Sequence, residues 1–162
     1  MIKFARTKYV AIERPARDRI VAHGLLDDYI YSMELDVDFS LPRYEITRIT
    51  GRMKRYTTPE CPKADEVLQS AVGMRIEPGL ADKVKKQVGR AGCRHYATLL
   101  LECCHAAISA SLTFARQDLE EEGLPADDDA VRRRLLDMVP HMRDGCMAYS
   151  ERSPLMERLS AE

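Results

Sequence analysis

Residues 29–39 read Tyr-Ile-Tyr-Ser-Met-Glu-Leu-Asp-Val-Asp-Phe, and this stretch decides the fold class. Its odd positions, Tyr29, Tyr31, Met33, Leu35, Val37 and Phe39, are aromatic or apolar. Its even positions from Ser32 on, Ser32, Glu34, Asp36 and Asp38, are polar. Successive side chains leave a strand on opposite sides, so a period of two marks a strand with one face buried and one in water. A sheet wet on one face is antiparallel as a rule. Leu41-Pro42 ends the run, and Tyr44 to Met53, rich in Ile, Thr and Arg, is the expected antiparallel partner. Upstream, Phe4 to Ile12 and Arg19 to Leu26 read as two more strands around a turn at Pro15-Ala16, with another turn at Asp27-Asp28. Residues 1–58 are thus the β-rich half, with three to four strands.

After Pro59 the period changes to that of helices. Cys61-Pro62 opens the first, because Pro fits the first helical position; Ala64, Val67, Leu68, Ala71 and Val72 are its apolar stripe. Pro78-Gly79 opens a second, Leu80 to Val88, closed by Gly89. Gly92-Cys93 opens the longest, with Tyr96, Leu99, Leu100, Cys103, Ala107, Ala110 and Phe114 spaced by three and four. A fourth runs from Asp127 to Met138, and the tail from Met147 is expected to be irregular. The expected architecture is α+β: a small antiparallel sheet followed by four helices packed on one face, forming a single domain of 162 residues.

Composition bounds the function. Lys+Arg 25 against Asp+Glu 26 gives a net charge of −1, which excludes the basic field of a general nucleic-acid binder. The amino-terminal residues lack the apolar core of an export signal. The apolar region Tyr96 to Phe114 is interrupted by Glu102 and His105, so no membrane span is expected. Together with five cysteines, an odd number, these features point to a cytoplasmic protein with reduced thiols.

Two thiols have a chemically favourable placement. Cys61 and Cys93 both stand at helix starts, where free N–H groups and the helix dipole favour anions, and a thiol so placed ionises more readily. His95 follows Cys93 by two residues. Cys61, Cys93 and His95, with Cys146 beside the turn-forming Gly145 as a fourth candidate, make a ligand set that suits zinc or an iron–sulfur cluster better than magnesium or calcium. Paired Cys-x-x-Cys elements are absent. Glu102-x-x-His105 has the spacing of a di-iron carboxylate motif but no second copy, and reads as a solvated helix face. Cys103 falls on the apolar stripe and reads as core. Arg132-Arg133-Arg134, close behind Asp127 to Asp129, reads as a self-neutralising face. His23 and His141 read as structural.

The runs His23 to Asp28, Asp36-Val37-Asp38 and Ile46 to Met53, then Cys61-Pro62-x-Ala64, Val72-Gly73-x-x-Ile76-x-Pro78-Gly79 and Gly92-Cys93-x-His95, together resemble the uncharacterised bacterial family called domain of unknown function 2889. The resemblance covers about residues 17–150. Around the His the family usually has Thr and Leu, where this chain has Arg94 and Tyr96. A looser likeness is to the iron–sulfur cluster scaffold fold, which also follows an antiparallel sheet with helices and has cysteines at helix starts. That likeness implies cluster-ligand places for Cys61, Cys93 and His95, while the scaffold's first cysteine has no counterpart.

Three functional expectations follow. The first is a metal- or iron–sulfur-binding accessory protein that serves a metalloenzyme or another protein partner. The second is a small enzyme with Cys93 and His95 as nucleophile and proton carrier, or as a zinc site. The third is a non-catalytic ligand-binding or interaction module, with Tyr9, Tyr29, Tyr31, Tyr44 and Tyr56 lining a binding or homodimer surface.

Overall fold

A computed structural model describes residues 1–161. Four strands, β1 (Arg6–Ala16), β2 (Arg19–Asp28), β3 (Ser32–Ser40) and β4 (Glu45–Arg55), pair in chain order as an antiparallel meander. The alternation in β3 holds: Met33, Leu35, Val37 and Phe39 are fully buried. Their neighbours on the same face are Ile20, Ala22 and Leu26 of β2 and Ile46 and Ile49 of β4. Each large side chain so buried contributes about 1.5–3 kcal/mol.

The turns differ from the sequence expectation. Ala16 pairs with Arg19, so the first turn is at Arg17-Asp18, and Pro15 sits in the edge strand β1, where its missing donor is tolerated. The second falls at Tyr29-Ile30, because the Asp28 carboxylate accepts the N–H groups of Ile30 (2.6 Å) and Tyr31 (2.7 Å) and bends the chain two residues later. Tyr29 therefore stands in solvent instead of continuing the strand. Tyr44, expected on a binding surface, is buried in the core.

The composition change at Pro59 separates β4 from the helical segments. The first is a single run of short turns: a 3-10 turn at Cys61–Lys63, α1 (Ala64–Val67) and another 3-10 turn at Leu68–Ala71. Then come α2 (Leu80–Val84), which continues as a π-turn over Lys85–Arg90 past the expected stop at Gly89, α3 (Arg94–Glu121), α4 (Asp128–Met138) and α5 (Pro154–Ser160). The last corrects the irregular tail. Ser153 caps α5 by accepting the Met156 N–H, Pro154 fills its first position, and Met156 and Leu159 bury its inner face.

The chain forms two compact units, Met1–Ala107 and a second from Ile108 onward, with the boundary inside α3. In the first unit, Gly24, Leu35 and Gly51 are register partners across three strands. The two glycines leave room for helical side chains. A methyl group on Gly24 would lie 2.8 Å from Cys103 Sγ, and one on Gly51 would lie 2.4 Å from Leu68 Cδ1 and 2.8 Å from the Tyr96 ring. The helical layer of this unit is thus seated on one face of the sheet. The second unit has its own cluster of Leu136, Met156 and Leu159, joined by Met142, Tyr149 and Leu155. In it Arg158 grips Asp129 with two bonds of 2.7 and 2.9 Å, and Arg132 and Arg134 pair with Asp128 and Glu122, as expected of a self-neutralising face.

By length and composition alone α3 is long and apolar enough to cross a membrane, a test that a core helix also passes. In the first unit its residues Tyr96, Leu99, Leu100 and Cys103 are buried in the core.

Candidate functional site

A meander brings the start of β1, the end of β2, the start of β3 and the end of β4 to one end of the sheet. Polar side chains gather there. Arg6 donates to Asp28 Oδ2 at 2.6 Å, and the Asp28 side chain is fully buried. Burial alone would raise the Asp28 carboxyl, but the Tyr31 N–H, the Arg6 guanidinium and the Ile30 N–H outweigh it and hold it below the ordinary carboxylate range. At the end of β4, Arg55 binds Asp27 at 2.7 Å and also the Asp28 carbonyl, tying β2 to β4 across the turn.

The start of α3 enters this cluster. The Cys93 N–H bonds the Val88 carbonyl at 2.9 Å, closing the π-turn, while its own carbonyl accepts the first helical bond, from Ala97. Cys93 Sγ then lies 3.9 Å from His95 Nδ1. The other ring nitrogen, Nε2, is 3.4 Å from Arg6 Nη2. An arginine can only donate, so Nε2 accepts and the ring proton resides on Nδ1, facing the sulfur. Burial first, and the Arg6 charge second, push His95 below its ordinary value, with Asp28 opposing; the imidazole is neutral at pH 7. The Tyr31 ring packs against the imidazole at 4.1 Å between centroids.

Cys61 is reached through Tyr31. The Tyr31 hydroxyl lies 3.3 Å from Thr57 Oγ1, which lies 3.8 Å from Cys61 Sγ; Thr58 Oγ1 is closer, at 3.4 Å. Hydrogen bonds from Thr58, side chain first and backbone second, hold the Cys61 thiol below its ordinary range. Both thiols are free and half-buried.

The structure thus brings Cys93 and His95 into contact and ties Cys61 to them by the Thr57–Tyr31 chain. Cys146 belongs to the second unit, where it is exposed ahead of a 3-10 turn at Met147–Tyr149. Among the described residues, no three His, Cys, Asp or Glu side chains are grouped to hold a metal ion. Glu102 is paired with Lys8 at 2.5 Å on an exposed surface, as a solvated face requires. His23 lies between Asp36 (2.7 Å) and Glu13 (3.5 Å), a structural use.

Sequence reasoning missed Arg6, read Asp28 only as part of a turn, and named Tyr31 only among the tyrosines of a binding or homodimer surface. The Asp28 turn had a legible signal, an Asp ahead of the strand, since Asx side chains cap their own backbone. Arg6 had none: only the register of β1 on β2 sets it beside Asp28.

Fold and site define a small α+β protein with a thiol–histidine pair at one end of its sheet. Residues 6–109 match the family described as protein of unknown function (DUF2889), and the chain belongs to that family. The match takes in β1 and ends close to the boundary between the two units, so it is both earlier and shorter than the span of 17–150 read from the sequence. No curated protein and no solved structure matches the chain.

Proposed function

We propose that this protein performs thiol-dependent chemistry, with Cys93 as nucleophile toward an electrophilic substrate and His95 as its polar partner. One observation carries the reading: Cys93 Sγ faces the Nδ1–H of a neutral imidazole whose other nitrogen is held by Arg6. A donor so placed can steady the thiolate and the negative charge that develops near the sulfur. Arg6, anchored on Asp28, acts as a positioning residue.

The test is the rate of iodoacetamide alkylation at Cys93, followed by peptide mass spectrometry across pH 5–9. Relative to the wild type, His95→Ala is expected to slow Cys93 by about tenfold and Arg6→Gln by less. Equal rates in all three proteins would sink the proposal.

A second reading keeps Cys93 and His95 as ligands of zinc or an iron–sulfur cluster in an accessory protein. It is favoured by the 3.9 Å separation, close to the ~3.5 Å between sulfur and nitrogen on a tetrahedral zinc. Such a site needs two more ligands, one from Cys61 and one from a partner. Elemental analysis and a visible spectrum of anaerobically purified protein, beside Cys93→Ser, separate the readings. Stoichiometric zinc or iron lost in the variant favours the metal, and metal-free wild type leaves the thiol.

A further inference from the structure

The π-turn that delivers Cys93 also builds a cavity beside it, independent of the thiol chemistry. The cavity holds about 300 Å³ and lies between Lys85–Arg90 and the first two turns of α3. Its wall is apolar, from Gly89, Ala97 and Leu101, with the Thr98 side chain beside them. Gly89 keeps it open on the helix side: a methyl group there would come within 3.2 Å of Ala97 Cβ.

Three cations line it, Lys85, Arg90 and Arg94, and no carboxylate does. Cations nearby are neutralised: Lys83 pairs with Glu77 at 3.1 Å and Arg75 with Glu45 at 2.9 Å. Among the described residues, the side chains of Lys85, Arg90 and Arg94 have no such partner. Three like charges converging on one cavity repel each other, and the repulsion is relieved by an anion. Wide π-turns recur at functional sites, because they displace side chains from the regular helical face. Here the turn sets Lys85 and Arg90 at its two ends, with Gly89 beneath.

We propose that this cavity binds a small organic anion, a carboxylate or phosphate head joined to a short apolar group. The head is held by Lys85, Arg90 and Arg94 and the apolar group lies against Ala97 and Leu101. The volume suits a ligand of this size and falls at the small end of ordinary ligand pockets.

The experiment is a titration of ¹⁵N-labelled full-length protein with hexanoate, hexyl phosphate, hexanol and inorganic phosphate, read by amide shifts. Hexanoate or hexyl phosphate is expected to saturate, shifting Gly89, Ala97 and Thr98, and whichever binds tighter identifies the head group. Hexanol and inorganic phosphate, each lacking one half of the recognition, are expected to bind more weakly. Arg94→Gln and Lys85→Gln, both at exposed positions, are each expected to weaken binding roughly three- to tenfold, as is raised salt. The proposal is overturned if neither amphipathic anion saturates, if hexanol binds as tightly, if the shifts fall elsewhere, or if both variants bind like the wild type.

Discussion

Two regions of the first unit hold cysteines, and chemistry divides them sharply. Cys93 begins α3, and Cys103 and Cys104 lie on the same helix about 15 Å further on. Cys103 and Cys104 are buried, Cys103 against Gly24 of the sheet, and burial raises both thiols, Cys104 to about 12. They are small apolar side chains in all but name. Cys93 and Cys61 stand at the sheet's end, half-buried, each with a polar partner. One helix thus carries an inert thiol pair and a candidate reactive thiol. The difference lies in whether the sheet meets the residue with apolar side chains or with Arg6, Asp28 and Tyr31. Residue type says little about a cysteine; the strand end it faces says more.

The largest expected effect tests that division directly. In native protein, iodoacetamide is expected to modify Cys61 and Cys93 while Cys103 and Cys104 wait on unfolding. Their protection should be at least about a thousandfold against urea-unfolded protein, given the stability of an ordinary domain. Mass spectrometry of quenched time points reads all four at once. Modification of Cys103 at the pace of Cys93 in folded protein would erase the comparison.

Next in size is Asp28→Ala. It leaves Arg6 without its partner and two N–H groups without their acceptor. The expected loss is about 2–4 kcal/mol in urea unfolding. The pH dependence has a definite sign. The carboxyl is held low in the folded state, so its contribution is full above its unfolded value and drains away as pH falls through the folded one. Wild type and variant should therefore converge in acid. A variant that stays equally far below the wild type at every pH would show that Asp28 acts by packing alone.

Smaller is the core side of the division. Gly24→Ala places a methyl group 2.8 Å from Cys103 Sγ and 3.1 Å from Leu99 Cγ, with expected destabilisation of about 1–3 kcal/mol. Pairing it with Cys103→Ala, which removes the sulfur, should recover part of the loss; simple additivity of the two changes would place the clash elsewhere.

How much of this was legible follows from which forces act locally. The alternation Met33 to Phe39 and the stripe Tyr96 to Cys103 reflect burial on one face, a property of neighbours in sequence, and both elements stand where the pattern put them. Turns depend on single side-chain bonds, and Asp28 moved one by two residues. Cys93 and His95 could be paired from spacing because both sit on one helical turn. Arg6 and Tyr31 could not, since strand register alone delivers them. The three cations of the cavity were also hidden, because a regular helix through Gly89 would have spaced Lys85 and Arg90 differently from the π-turn that formed. For α5, Ser153-Pro154 was a capping signal in plain view, and the short chain after it masked the helix.

The smallest effect sharpens the reactive side. Thr58 Oγ1, 3.4 Å from Cys61 Sγ, is the first cause of that thiol's easier ionisation. Thr58→Val keeps the shape and removes the hydroxyl, so the alkylation profile of Cys61 should move toward higher pH. At neutral pH Cys61 should then react more slowly, while the two rates meet once the pH exceeds both midpoints. Cys93, with no bond to Thr58, should keep its profile. If Cys93 moved with Cys61, the Thr57–Tyr31–His95 chain would be transmitting the change, and the two thiols would belong to one coupled site. If only Cys61 moves, the two thiols at the sheet's end respond separately, and the Thr58 hydroxyl acts on Cys61 alone.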